Sequence, residues 1–277
     1  MQSISIMYFI TFGSHDNYIS AAVRLCKQAN SFQLFTNITA YTSTYLKKDT
    51  FFWKQHENFI KKHKRGFGYW IWKPYLILKT MNQMKDGEIL LYLDCGCELD
   101  LSEKKYLLNY IKIVKKDKIM GCDTKCIEQI WNKRDLIEFM NMNKDEYLTT
   151  TQREAGALLI LVCDETKKLV EEWYTIACDY HNIDDSPSII PNCKEFKEHR
   201  HDQSIFSLLT KKYNIFSTTC INSHCIKYIR NRSGNTKLKP KLIWVRYVLL
   251  VVFLMLVQSM YHFHHTPYVW PWMHPQM

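Results

Sequence analysis

Two carboxylates and one lysine sit where their neighbours could turn them to chemistry. The first is Asp94, which closes the apolar run Glu88-Ile89-Leu90-Leu91-Tyr92-Leu93 and is followed by Cys95-Gly96-Cys97-Glu98. A short apolar run bounded by turn residues reads as a buried strand, and a central α/β strand delivers its C-terminal residue to the crevice where such folds bind ligands. Glu98 lies two residues past Gly96, so this loop can offer two carboxylates to one pocket. Oxygen ligands of that kind suit Mg²⁺ or Mn²⁺, which combine one or two carboxylates with substrate phosphates. Asp94 as a plain turn cap fits the same spacing. The second carboxylate is Asp202 in His199-Arg200-His201-Asp202-Gln203-Ser204. Standing before an amphipathic helix, it suits a general base on a hydroxyl or a helix N-cap. The lysine is Lys73, behind the glycine- and aromatic-rich stretch Gly66-Phe67-Gly68-Tyr69-Trp70-Ile71-Trp72.

The elements that must position these residues follow from periodicity. Ile4 to Phe12 reads as a strand ending at Gly13, and Tyr18 to Ala29 has helical spacing. Phe32 to Thr39 reads as a second strand and Phe51 to Lys62 as a helix. Pro74, favoured in a first helical turn, opens a helix to Met84, and the Asp94 strand comes next. Helix 103–114, a short strand 119–122, a helix from Asp135 through Asn141, a buried strand 155–163 and a helix 164–180 complete the alternation before the helix 205–212. Strands alternating with helices predict an α/β fold, a doubly wound mixed or mostly parallel sheet with helices on both faces. In such a sheet the strand ends share an edge. That edge would gather Thr11-Phe12-Gly13, Asp94 and the region after Ala155-Gly156, so that a nucleotide lies across it with Phe12 and Gly13 against base or ribose.

Charge and cysteines narrow the partners. Lys and Arg number 37 against 27 Asp and Glu, a net +10 that calls for an anionic partner. The basic clusters are scattered and carry no zinc-finger, helix-turn-helix or RNA-binding signature, so nucleic acid is not expected. Absence of a Walker loop and of Gly-x-Gly-x-x-Gly argues against kinases and ordinary dehydrogenases. Ten cysteines without a Cys-x-x-Cys pair read as free thiols in a reducing compartment. Leu242 to Tyr261 is long and apolar enough for a transmembrane helix, with Lys237, Lys239, Lys241 and Arg246 near its start and aromatic residues at both edges. The positive-inside rule then makes this a single-pass membrane protein with its body facing the cytosol. A buried C-terminal helix is the competing reading. The expected division is a catalytic domain 1–235, a basic linker 236–241, the span 242–261 and a tail 262–277.

Four blocks together resemble a family. Leu90 to Gly96 is similar to the strand ending in Asp-x-Asp of GT-A nucleotide-sugar glycosyltransferases, in particular the glycogenin- and galactosyltransferase-like group. Gly66 to Pro74, Gln152-Arg153-Glu154-Ala155-Gly156 and His199 to Ser204 look like blocks of related uncharacterised proteins from large viruses and bacteria. The resemblance covers about residues 4–232. It implies a GT-A fold, a nucleotide-sugar donor, a glycan, lipid or protein acceptor, and hexose transfer. It also implies that Asp94 binds Mn²⁺ or Mg²⁺ holding the donor diphosphate, and that Asp202 and Gln203 lie near the reacting sugar. Gly96 stands where the second aspartate belongs, which puts the metal in question unless Glu98 or a histidine replaces it. A departing diphosphate needs positive charge from a metal or from cations, and Lys73, Arg230 and Arg232 are the candidates. Trp70 and Trp72 suit a sugar-stacking platform or the core. Asn37-Ile38-Thr39 and Asn231-Arg232-Ser233 are glycosylation sequons. A noncatalytic, membrane-anchored carbohydrate-binding or scaffolding protein on the same fold is the alternative, and a phosphatase-like hydrolase is disfavoured by Gly96.

Overall fold

The structure, a computed structural model, describes residues 6–222, 224–238 and 253–258. Nine strands occur among them: β1 (Met7–Gly13), β2 (Asn37–Thr42), β3 (Ile89–Leu93), β4 (Glu98–Leu99), β5 (Ile119–Met120), β6 (Asp123–Ile127), β7 (Thr151–Arg153), β8 (Ala157–Leu161) and β9 (Ile226–Lys227). Five build the central sheet in the order β2-β1-β3-β8-β5. β1 runs parallel to β2 and β3, whereas β8 runs antiparallel to both β3 and β5. The sheet is therefore mixed. Reversal of β8 corrects one expectation: the residues before this strand, Glu154 to Gly156, reach the edge where β1 and β3 end. Leu93 pairs with Ala157, and the Asp94 amide donates to the Gly156 carbonyl at 2.7 Å.

Alternation in β3 explains the layers. Ile89, Leu91 and Leu93 enter a core with Phe9, Leu25 and Leu107, while Leu90 and Tyr92 enter another with Leu76, Trp173 and Phe206. Both faces are covered by helices, so the strand is apolar throughout. Asp16–Ser31 and Lys104–Asp117 contribute to the first face, and Thr50–Lys62, Trp72–Met81, Asp164–Cys178 and Asp202–Tyr213 to the second.

Several boundaries differ from the sequence reading. The second strand begins at Asn37 rather than Phe32, because Phe32 ends the preceding helix and is fully buried. The helix after the aromatic stretch starts at Trp72, and the one after His201 starts at Asp202 itself. Two two-stranded ribbons were not foreseen: β4 with β9, and β6 with β7. Each is too short to announce itself by periodicity, yet the first leads to Tyr228 and Arg230 at the cleft and the second sets Gln152 against Gln203.

The expectation of ten free thiols is overturned by a disulfide between Cys122 and Cys220, 98 positions apart. Spacing along the chain could not reveal a pair that β5 and the segment after the helix Asp202–Tyr213 bring together. The chain divides into two units, Met1–Leu238 and Lys239–Met277. In the second, residues 253–258 are helical, and Phe253 to Val257 are exposed. No helix among the described residues is long and apolar enough to cross a membrane. Apart from 253–258, the span expected at 242–261 and the tail 262–277 lie outside the described residues.

Candidate active site

A cleft of about 470 Å³ opens at the edge where β1 and β3 end. Its floor carries Lys73, Asp94 and Asp202, which arrive from three elements: the helix Trp72–Met81, the end of β3 and the helix Asp202–Tyr213. Lys73 Nζ lies 2.7 Å from Asp202 Oδ2 and 3.5 Å from Asp94 Oδ1. Lys73 and Asp202 are only 3% and 4% exposed, so their charges are taken almost wholly from water. Burial opposes the Lys73 charge, but the two carboxylates outweigh it and raise its pKa. For Asp202, burial pushes the pKa up; Lys73 pulls against it and Asp94 adds to it, leaving it at about 6. Trp173 holds the start of the helix in place, its Nε1 donating to the Asp202 carbonyl at 2.9 Å.

Asp94 is held by phenols. Tyr92 donates to its Oδ1 at 2.5 Å and Tyr228 to its Oδ2 at 3.3 Å. Asp94 raises the pKa of Tyr228 together with burial, and burial with Asp94 does the same to Tyr92, so both phenols stay protonated donors. Gly156 makes this possible: a Cβ there would fall 2.5 Å from the Tyr228 hydroxyl and 2.9 Å from Asp94 Oδ2.

One wall is a left-handed turn. Five successive residues, Gly66 to Trp70, have φ between 50° and 83°. Glycine takes this region freely, but Phe67, Tyr69 and Trp70 do so against the Cβ clash that costs about 1–2 kcal/mol per residue. The turn is fixed by bonds from the amides of Gly68, Tyr69 and Trp70 to the carbonyls of His63, Arg65 and Gly66 at 2.9, 2.8 and 3.2 Å. It separates the two tryptophans of the expected platform. Both line the cleft, but Trp72 is only 5% exposed, stacks on Phe12 at 3.9 Å and donates Nε1 to the Gly66 carbonyl.

His201 also has a left-handed backbone, φ 56°. Its Nδ1 meets the Ile183 carbonyl at 2.9 Å, which can only accept, so Nδ1 carries the proton and Nε2 is an acceptor. That Nε2 is buried without a hydrogen-bond partner, and burial brings the ring's pKa down to about 4. His199 is structural: its Nδ1 accepts from the Lys133 amide, and its Nε2 meets the Asn182 carbonyl.

The rim is cationic. Lys64, Arg65, Arg200, Arg230 and Arg232 all line the cleft, and Arg230 and Arg232 are exposed. Arg230 and Arg232 are delivered by the β4–β9 ribbon, after which the Asn231 amide donates to the Gly96 carbonyl at 2.8 Å. A Cβ on Gly96 would meet Arg230 Cα at 3.3 Å. The position of a second aspartate is thus occupied by the returning backbone that brings the arginines.

No family model matches the chain, and no curated protein matches it. Solved structures similar to it include mouse xyloside xylosyltransferase 1, at 10% identity over 77% of this chain and 85% of that one, TM-score 0.41. Another is the galactosyltransferase LgtC with donor and acceptor sugar analogues, at 14% identity over 76% and 72%, TM-score 0.40. A third is a glycosyltransferase involved in glycosylating the major capsid of PBCV-1, at 7% identity over 62% and 66%, TM-score 0.36. All three are glycosyltransferases, the class the four sequence blocks resemble. With TM-scores below 0.5, the reading of the site stands on its own residues.

Those residues do not fit the expected Mn²⁺ or Mg²⁺. Such ions use one or two carboxylates together with substrate phosphates, but in Asp94, the carboxylate expected to bind, each oxygen already accepts from a phenol and Oδ1 also faces Lys73 at 3.5 Å. Glu98, the proposed substitute, is fully buried and turned away, accepting from Asn231 Nδ2, Thr236 Oγ1 and the amides of Lys237 and Leu238 at 2.5, 2.5, 2.8 and 3.2 Å. Among the described residues no cluster of three His, Cys, Asp or Glu is arranged for a metal.

The other expected residues are distributed as follows. Phe12, Lys73, Asp94, Asp202 and Gln203 line the cleft. Gly13 does not; its missing side chain admits the helix Asp16–Ser31, since a Cβ would fall 2.5 Å from the Tyr18 carbonyl. Asn231 of the second sequon is fully buried, its amide bound to Glu98, while Asn37 is exposed. Tyr92 was missed, although its place two residues before Asp94 on the same strand face was a signal for it. The region of Ala155 and Gly156 was expected at this edge, whereas Tyr228 carried no signal of its own.

Proposed function

We propose that the chain is a glycosyltransferase that moves a hexose from a nucleoside-diphosphate sugar to an acceptor hydroxyl. The observation that carries the reading is the Lys73–Asp202–Asp94 cluster at the floor of an aromatic cleft with a cationic rim. The bond between the sugar's anomeric carbon and the diphosphate breaks, and a bond from that carbon to the acceptor oxygen forms. Asp202, with its pKa near neutrality, receives the acceptor's proton. Arg230 and Arg232 take the charge of the departing diphosphate, the work otherwise assigned to a metal, whereas Arg65 and Arg200 on the rim already pair with Asp185 and Glu198. Lys73 is engaged by both carboxylates, 2.7 Å from Asp202 and 3.5 Å from Asp94, and holds them together.

The test is turnover of a panel of uridine and guanosine diphosphate hexoses, with chelator and with added Mn²⁺. Release of nucleoside diphosphate that chelator leaves intact and that Asp202→Asn abolishes supports the reading. Donor binding without any turnover, with or without added sugars and lipids as acceptors, would favour the noncatalytic carbohydrate-binding alternative.

A membrane tether at 242–261 remains part of the proposal, tested by partition of the full chain and of 1–238 between detergent and water. For the side of the membrane, the disulfide favours an oxidising compartment over the cytosolic side read from flanking charge.

A further inference from the structure

Gln203 reaches the cleft from the first turn of its helix, and its amide has two chemically opposite ends. A chain of buried side chains decides which end faces the ligand. Gln203 Nε2 donates to Gln152 Oε1 at 2.9 Å, and Gln152 Nε2 donates to Asn132 Oδ1 at 2.6 Å. Asn132 Nδ2 in turn donates to Glu128 Oε2 at 2.6 Å. Glu128, Asn132 and Gln152 are at most 1% exposed, so water cannot substitute for any partner.

Amide oxygen and nitrogen are easily exchanged on geometry alone, but here the partners fix them. Glu128 is paired with Lys211 at 2.6 Å and also accepts from Ser207, so it is an acceptor toward Asn132. The Trp131 carbonyl, 3.3 Å from Gln152 Nε2, can only accept and fixes the middle amide independently. With Gln152 Oε1 directed at Gln203, the Gln203 nitrogen must turn inward. Among the described residues no hydrogen bond takes Gln203 Oε1.

We infer that Glu128, Asn132 and Gln152 are positioning residues that lock the Gln203 carbonyl oxygen toward the cleft as an acceptor for a hydroxyl of the donor's sugar. The inference rests on the proposed function for the identity of that ligand. An acceptor oxygen fixed in this way selects a ligand rich in O–H donors, and a sugar ring is one.

The variant that breaks the lock is Gln152→Leu, which keeps the side chain's size and removes the acceptor for Gln203 Nε2. Two readouts are taken. One is the exchange rate of the ¹⁵N-labelled Gln203 side-chain amide protons. The other is the ratio of Kd for UDP or GDP to Kd for UDP-glucose, UDP-galactose or GDP-mannose. Gln152→Leu is expected to speed amide exchange and to reduce the ratio about tenfold, the scale of one lost hydrogen bond, while Kd for UDP and GDP is unchanged.

Gln152→Glu keeps an acceptor for Gln203 Nε2 in either protonation state. This variant should therefore retain the ratio and the slow amide exchange that Gln152→Leu loses, a rescue that a merely structural role of the side chain would not give. Unchanged amide exchange and an unchanged ratio in Gln152→Leu overturn the inference. A wild-type protein that binds none of these nucleotides counts against the proposed function instead. In that case the amide exchange alone decides the lock, and unchanged exchange overturns it.

Discussion

Two buried pairs of opposite charge flank the loop 94–98, and they are built for opposite ends. On one side Arg24 lies 3.6 Å from Glu98 and donates to the carbonyls of Cys95, Cys97, Asn231 and Ser233 at 2.8 to 3.1 Å. Burial alone would raise the Glu98 pKa, but its hydrogen bonds from Thr236, the Lys237 amide, Asn231 and the Leu238 amide outweigh that and hold it at about 2. Residues 236–238, read from the sequence as the start of a linker, are thereby fastened to the domain. On the other side Lys73 and Asp202 face a cleft, with far fewer donors around the carboxylate, and Asp202 sits at about 6. The saturated pair is a fastener and the unsaturated pair is reactive. What separates them is the supply of hydrogen bonds, since both are buried.

The comparison is broken most sharply by Asp202→Asn. It should lower kcat by about 10²- to 10⁴-fold, the range for a general base, with a smaller loss of melting temperature than removal of Glu98, because Asp94 still faces Lys73 at 3.5 Å. The mirror experiment is Glu98→Ala, which leaves Arg24 buried and uncompensated. It should cost roughly 3–5 kcal/mol and lower the melting temperature by on the order of 10 °C, while kcat per folded molecule holds. A large kcat loss at unchanged stability there would erase the distinction.

Titration sharpens it. Turnover should fall as pH drops through about 6, when Asp202 takes up a proton, and Glu98→Gln should leave that limb where it is. For stability the two carboxylates run in opposite senses. Glu98 is depressed from 4.5, so its contribution is present above that pH and lost as pH falls toward about 2. Asp202 is raised from 3.8, so its contribution is present below that pH and lost as pH rises through about 6. Denaturant midpoints of wild type and Glu98→Gln should accordingly converge in acid. The smallest effect is expected at the exposed rim: Arg230→Ala or Arg232→Ala should weaken UDP or GDP binding about fivefold at low salt and less at high salt.

The sequence disclosed the parts of this site that local pattern encodes. β3 and the Asp94 that follows it stood out because an uninterrupted apolar run has few other interpretations, and Asp202 because polar residues there abut a helix; Gln203 came only from the family resemblance. Lys73 was placed near the site, but its role was not legible, because an ion pair across three elements has no local signature. Nor could the chain announce that β8 is reversed, that Glu98 faces away from Asp94 or that Cys122 meets Cys220. Those facts depend on pairings between distant segments, and two of the ribbons involved include strands of only two or three residues. Gly96 was seen as a departure, and its cause became visible only when the Arg230 backbone was found beside it.

The left-handed turn Gly66–Trp70 has a bearing on ligand entropy. Its bulky residues are held in an unfavoured backbone by bonds within the folded domain, so the strain is met when the chain folds. Phe67 and Trp70 then stand at the cleft on a backbone already fixed before any sugar or base arrives. A ligand that stacks there need not order the segment beneath the rings, and more of the contact energy survives as affinity.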